Sequence, residues 1–132
     1  MLDVFMELVP ESTVGKILIQ RNEESAAKEP ILFYSKLPSL VGKNVVLVDP
    51  MLATGGSAKV AVQVLIDKGA LESKITFLNV VSCPLGLTSL LEAYPAITVV
   101  TGSIDYGLNS NKYIVPGLGD FGDRYFGTVD CI

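Results

Sequence analysis

The hydrophobic positions of this 132-residue chain fall into short runs of two kinds. "NVVLV" (44–48), "KITFLNVVS" (74–82) and "ITVVT" (97–101) are compact β-branched stretches, the pattern of strands covered on both faces. Between them, "SAKVAVQVLIDK" (57–68) places Val60, Ala61, Val64 and Leu65 on one helical face and meets a stop at Gly69. "GLTSLLEAY" (86–94) is a second helical stretch, closed by Pro95. Strand, helix, strand, helix, strand predicts right-handed crossovers and a parallel sheet. Upstream, "VGKILIQ" (14–20) and "ILFY" (31–34) read as strands separated by the polar "RNEESAAKEP". No crossover helix lies between them, so an antiparallel pairing is expected. From Gly102 onward, six of the twelve glycines and Pro116 predict functional loop in place of framework. The length predicts one domain over residues 1–132.

Composition narrows the function. Apolar residues make up 49% and charged residues 18%, which asks for a covered sheet, a subunit interface or both. A net charge of −4 without a Lys/Arg cluster argues against nucleic-acid binding. No apolar run approaches the roughly 18 residues of a membrane span, and the acidic start is unlike a signal peptide. A soluble, cytoplasmic protein is expected. Cys83 and Cys131 lack metal or redox spacing and read as reduced structural thiols. The chain has no histidine, which removes Ser-His-Asp and Cys-His catalysis and most zinc sites. Carboxylates, arginine, backbone amides and a hard metal ion remain.

The chemistry concentrates in "VVLVDPMLATGGS" (45–57). An apolar strand is expected to end at Asp49, where open parallel sheets hold their ligands. Thr54, Gly55, Gly56 and Ser57 then lead into a helix whose first N–H groups lack partners and point at incoming negative charge. There is no G-x-x-x-x-G-K-[ST] and no G-x-G-x-x-G, so the pattern fits neither a triphosphate nor a dinucleotide loop. A carboxylate beside an anion cradle repels phosphate unless it holds sugar hydroxyls or a magnesium ion. Asp49 either caps a turn or belongs to a sugar-phosphate site.

"DPMLATGGS" (49–57) resembles the phosphoribosyl pyrophosphate (PRPP) loop of type I phosphoribosyltransferases, and its Pro-Met-Leu-Ala wording is similar to the uracil phosphoribosyltransferases. "YIVPGLGDFGDRYFGT" (113–128) resembles that family's uracil-binding segment, and "VGKILIQRNEE" (14–24) its arginine-bearing strand and loop. The resemblance implies a phosphoribosyltransferase-like α/β fold: three α/β/α layers on a mostly parallel sheet, with an antiparallel edge strand. It implies pyrimidine salvage by a pentosyltransferase, uracil plus PRPP giving UMP and pyrophosphate. Asp49, Pro50, Met51, Leu52, Ala53, Thr54, Gly55, Gly56 and Ser57 would bind the ribose and 5-phosphate. Arg21 would contact pyrophosphate, and Asp120 would act near PRPP and its magnesium, which PRPP itself would carry. Asp49, Asp120 and Arg21 are thus the implied catalytic set; Ile114, Gly119, Asp120 and Phe121 would frame uracil. Partners would be PRPP, uracil and further subunits in a dimer or tetramer. GTP acts as allosteric activator in some relatives, and the sequence leaves that open here.

Each assignment has a plainer alternative. Arg21 could pair with Glu23 or Glu24, Asp120 and Asp123 could form turns, and Lys59 reads as solvated. Tyr113 and Phe121 compete for a ligand role, whereas Tyr125 and Phe126 read as core or interface. The wording also departs from the family, with Pro50 where most members carry a second acid and Asn22 where Asp is usual. "MLDVF" resembles the segment immediately after the family's Arg-Ala-Gly pyrophosphate loop. That loop and one interior strand, between those matching 14–20 and 44–48, are expected to lie outside residues 1–132. The sequence therefore also admits a weak or non-catalytic relative that binds PRPP, uracil or UMP, or pairs with a full-length subunit.

Overall fold

A computed structural model describes residues 1–21 and 29–128, with Arg21 as backbone alone. The central sheet is parallel. Strand β3 (Val45–Val48) pairs with β5 (Ile75–Ser82), which pairs on its other side with β6 (Thr98–Ile104). Helix α2 (Gly56–Asp67) joins β3 to β5, and α3 (Pro84–Ala93) joins β5 to β6. Both crossovers move the same way along the sheet, so right-handed connections put both helices on one face. Ile75 and Phe77 of β5 meet Val62 and Leu65 of α2 and Leu90 of α3 there, in a single buried cluster. Burying a side chain such as Phe77 contributes about 1.5–3 kcal/mol. On the opposite face Val46, Val80 and Val100 stay partly exposed. Among the described residues, no helix is long and apolar enough to cross a membrane.

The β-branched runs form strands within two residues of their expected ends, apart from β6, which runs three residues further, to Ile104. The α2 stripe is broader than expected. Val62 is fully buried along with Ala58, Ala61, Val64 and Leu65, because α2 packs on the sheet and on α3 together, whereas Val60, expected on the buried face, is only half-buried.

β1 (Lys16–Arg21) and β2 (Pro30–Lys36) pair antiparallel, as their polar connection suggested, with a register shift between Leu18 and Ile19. They form a two-stranded sheet of their own, not an edge of the parallel sheet. A cavity of about 760 Å³ lies between β1 and β3, lined by residues of both strands and by Leu2, Phe5 and Met6 of the short helix α1 (Leu2–Leu8).

The strand expected to end at Asp49 pauses there and resumes. Val48 stands opposite Leu78; then β4 (Met51–Leu52) pairs with Val81 and Ser82 in the same frame. Pro50 supplies no N–H, and its carbonyl accepts from the Val80 N–H (3.1 Å) and the Val81 N–H (3.2 Å). The tail carries more order than loop: a hairpin of β7 (Gly107–Leu108) and β8 (Ile114–Val115), then α4 (Phe121–Phe126).

Candidate sugar-phosphate site

One cavity of about 990 Å³ gathers three walls: residues 17–20 of β1, residues 47–54 with Ser57, and a wall of Tyr113, Gly119, Asp120 and Phe121. Sequences some sixty residues apart meet because β3, β5 and β6 end at the same sheet edge, where parallel sheets hold ligands. Of the residues read as PRPP-binding, Asp49, Pro50, Met51, Leu52, Ala53, Thr54, Ser57 and Asp120 line it; of those read as uracil-binding, Gly119, Asp120 and Phe121 do. Gly55 is buried beneath, and Gly56 faces Pro30. Ile114 is 2% exposed and packs with Val81 and Cys83, anchoring the turn instead of facing the cavity with its side chain.

The cradle at α2 follows from its glycines. Gly55 is the N-cap residue at φ 83°, a left-handed conformation that glycine adopts without strain. No side chain caps the helix, so its first-turn N–H groups remain available for an anion. Behind the turn, Cys83 Sγ donates to the Ala53 carbonyl at 3.0 Å. A Cβ on Gly86 would stand 2.5 Å from that same oxygen. The turn therefore rests on bare backbone at the start of α3. Lys59 is not solvated as expected: its ammonium donates to Ser89 Oγ at 3.0 Å, tying α2 to α3.

Asp49 sits just before this turn, half-buried, and desolvation holds its carboxyl pKa above the ordinary range, while the Met51 backbone N–H pulls the other way. Asp120 has a structural task as well. Its carboxylate caps α4 by accepting the Asp123 N–H at 3.0 Å, which satisfies the turn-forming alternative while Asp120 still lines the cavity. Asp123 turns away, accepting from Thr128 Oγ at 2.6 Å.

The far wall is braced by a residue that sequence reading missed. Asp105 Oδ2 accepts the Gly117 N–H at 2.8 Å, and its Oδ1 accepts from Ser103 Oγ at 2.9 Å. Thr101 Oγ1 donates to the Ser103 carbonyl at 3.0 Å and contacts Ser82 Oγ at 3.1 Å. Ser82 in turn accepts from Asn79 Nδ2 at 2.7 Å. This hydrogen-bonded line fastens the 114–119 turn, with its cis Val115–Pro116 bond, to β5 and β6. Asn111, Lys112, Gly122 and Phe126 also line the cavity. Arg21 ends β1 opposite Pro30; its side chain, with Asn22, Glu23, Glu24 and Cys131, lies outside the described residues. Among the described residues there is no cluster of three or more acid or thiol groups placed to hold a metal ion.

A glycine turn opening an uncapped helix beside a half-buried acid, at the carboxyl edge of a parallel sheet, marks the chain as an open α/β domain. A family model described as Uracil phosphoribosyltransferase matches residues 1–128. The chain belongs to that family. A uracil phosphoribosyltransferase of Dictyostelium discoideum is 53% identical over 118 residues, which cover 89% of this chain and 54% of that protein. Uracil phosphoribosyltransferase 1 of Schizosaccharomyces pombe is 55% identical over 116 residues, 87% of this chain and 52% of that one. A solved structure of an Aquifex aeolicus protein superimposes at a TM-score of 0.87 with 34% identity, covering 99% of this chain and 61% of the other. The chain spans about half the length of the curated relatives it matches.

Proposed function

We propose that this cavity binds PRPP-Mg and uracil and transfers the phosphoribosyl group, giving UMP and pyrophosphate. The observation that carries the reading is the meeting, in one cavity, of the bare α2 N-terminus, Asp49 and the 113–121 wall. The 5-phosphate takes the amides of residues 54–57, and the ribose hydroxyls take Asp49. Uracil lies against the 114–121 turn, where backbone C=O and N–H groups can match its acceptor-donor-acceptor edge and mispair with cytosine. The bond from ribose C1 to the pyrophosphate oxygen breaks with its electron pair leaving on pyrophosphate. The bond from C1 to uracil N1 forms, and the N1 proton passes to the departing pyrophosphate or to water. Such a transfer depends on positioning and fixed charge, which suits a chain without histidine. Magnesium enters as part of the PRPP-Mg substrate.

Conversion of radiolabelled uracil to UMP, dependent on both PRPP and magnesium, is the expected result with the purified chain. Failure to convert uracil together with failure to bind UMP would refute the reading. Binding without conversion would select the alternative of a non-catalytic relative.

Self-association belongs to the same proposal, as does a cytoplasmic setting, in keeping with the free thiol of Cys83. Leu8 (79%), Phe33 (61%) and Phe126 (75%) are too exposed for an isolated monomer to hold so many without cost. Sedimentation velocity is expected to give a dimer or larger species; a monomer at tens of micromolar would contradict it.

A further inference from the structure

The turn between β7 and β8 holds a residue in an unusual conformation. Lys112 has φ 65°, and among the described residues it is the non-glycine residue at positive φ. A lysine pays a steric penalty in this left-handed region that glycine avoids and asparagine reduces. The neighbouring residues over-determine the turn. Asn109 Oδ1 accepts the Asn111 and Tyr113 N–H groups, both at 3.0 Å, and the Asn109 carbonyl accepts the Lys112 N–H at 2.9 Å. The Asn109 N–H closes the hairpin on the Tyr113 carbonyl at 2.9 Å. Asparagines at 109 and 111 show that residues suited to such a turn are close at hand, yet position 112 is lysine.

Lys112 also lines the 990 Å³ cavity. The charged side chains lining it, among the described residues, are Asp49, Asp120 and Lys112. The α2 amides neutralise one phosphate, but PRPP brings a 5-phosphate and a pyrophosphate to a wall that otherwise offers two acids. Strain kept at a ligand cavity is an observation from which function can be inferred.

We propose that Lys112 is a binding residue for a phosphoryl group of the ligand, and that the Asn109 turn holds it in place for that contact. The assignment rests on the sugar-phosphate reading of the cavity and adds a residue to it. An ammonium-phosphoryl hydrogen bond is charge-assisted and weakens with salt.

Lys112→Gly removes the charge and relieves the strained φ, so the variant is expected to melt no lower than wild type. Calorimetric titration then compares wild type, Lys112→Gly and Lys112→Arg with pyrophosphate and, separately, with UMP, at low and moderate salt. The expected result is about a 10- to 100-fold loss of affinity in Lys112→Gly for at least one ligand. A shallower salt dependence should accompany it, and Lys112→Arg should restore most of the affinity. Loss confined to pyrophosphate assigns the contact to the leaving group; loss confined to UMP assigns it to the 5′-phosphate. Unchanged affinity for both overturns the inference and leaves the proposed function standing. Wild type that binds neither ligand overturns both.

Discussion

Asparagine in place of Asp49 is expected to weaken PRPP-Mg binding by about 10- to 100-fold while raising the melting temperature of the free protein at neutral pH. The binding loss follows from removing a charged acceptor that ribose hydroxyls would use, since hydrogen bonds to charged groups contribute about 1.5–3 kcal/mol. The stability gain follows from the opposite side of the same fact. Burial raises the folded-state pKa of Asp49 above its ordinary value, outweighing the Met51 N–H that lowers it. As pH rises through the window between the ordinary carboxylate value and the raised one, the unfolded chain gives up its proton first. Folding stability therefore falls across that window and stays lower at neutral pH. The asparagine variant escapes this penalty, and its advantage should shrink as pH falls through that window and be lost below the ordinary carboxylate value. Melting curves from pH 3 to pH 7, with and without PRPP-Mg, check both halves. A variant that binds like wild type, or that melts lower at pH 7, would contradict the assignment.

Alanine at Gly117 should act on the other wall. Gly117 sits at φ 53°, and a Cβ there would fall on the Ile114 carbonyl oxygen, an overlap only a backbone shift can relieve. That shift breaks the Gly117–Asp105 hydrogen bond and moves the surface against which uracil is proposed to lie. Overpacking of this kind costs about 1–3 kcal/mol. UMP affinity is expected to fall below detection, whereas pyrophosphate affinity should change less than about twofold. Parallel titrations with the two ligands measure this, and retained UMP binding would show that the turn is not the base wall.

These two residues also show how much of the site was legible in the sequence. The parallel core was readable because three β-branched runs alternate with two stretches of helical period, and α2 begins one residue from the expected position. The Gly-Gly turn was readable because backbone freedom and a helix start coincide in four residues. The resumption of pairing at Met51 was not, since two residues after a proline carry no periodic signal. The two-residue strands of the tail and the six-residue α4 are likewise too short to impose a period. An Asp at 120 with Asp123 three residues on did offer a helix-start signal, and it was there as a turn-forming alternative. Asp105 left no trace in the spacing, because its partner lies twelve residues away around the hairpin. Lys112 was hidden for the opposite reason: lysine signals solvent, and only the fold reveals its strained turn.

Amide NMR of the nitrogen-15-labelled chain titrated with UMP tests the central claim most directly. The account predicts that Thr54, Gly55, Gly56 and Ser57 shift together with Ile114, Gly117, Gly119 and Asp120, along one binding curve. Shifts gathered instead around the cavity between β1 and β3, or in only one of the two groups, would contradict it.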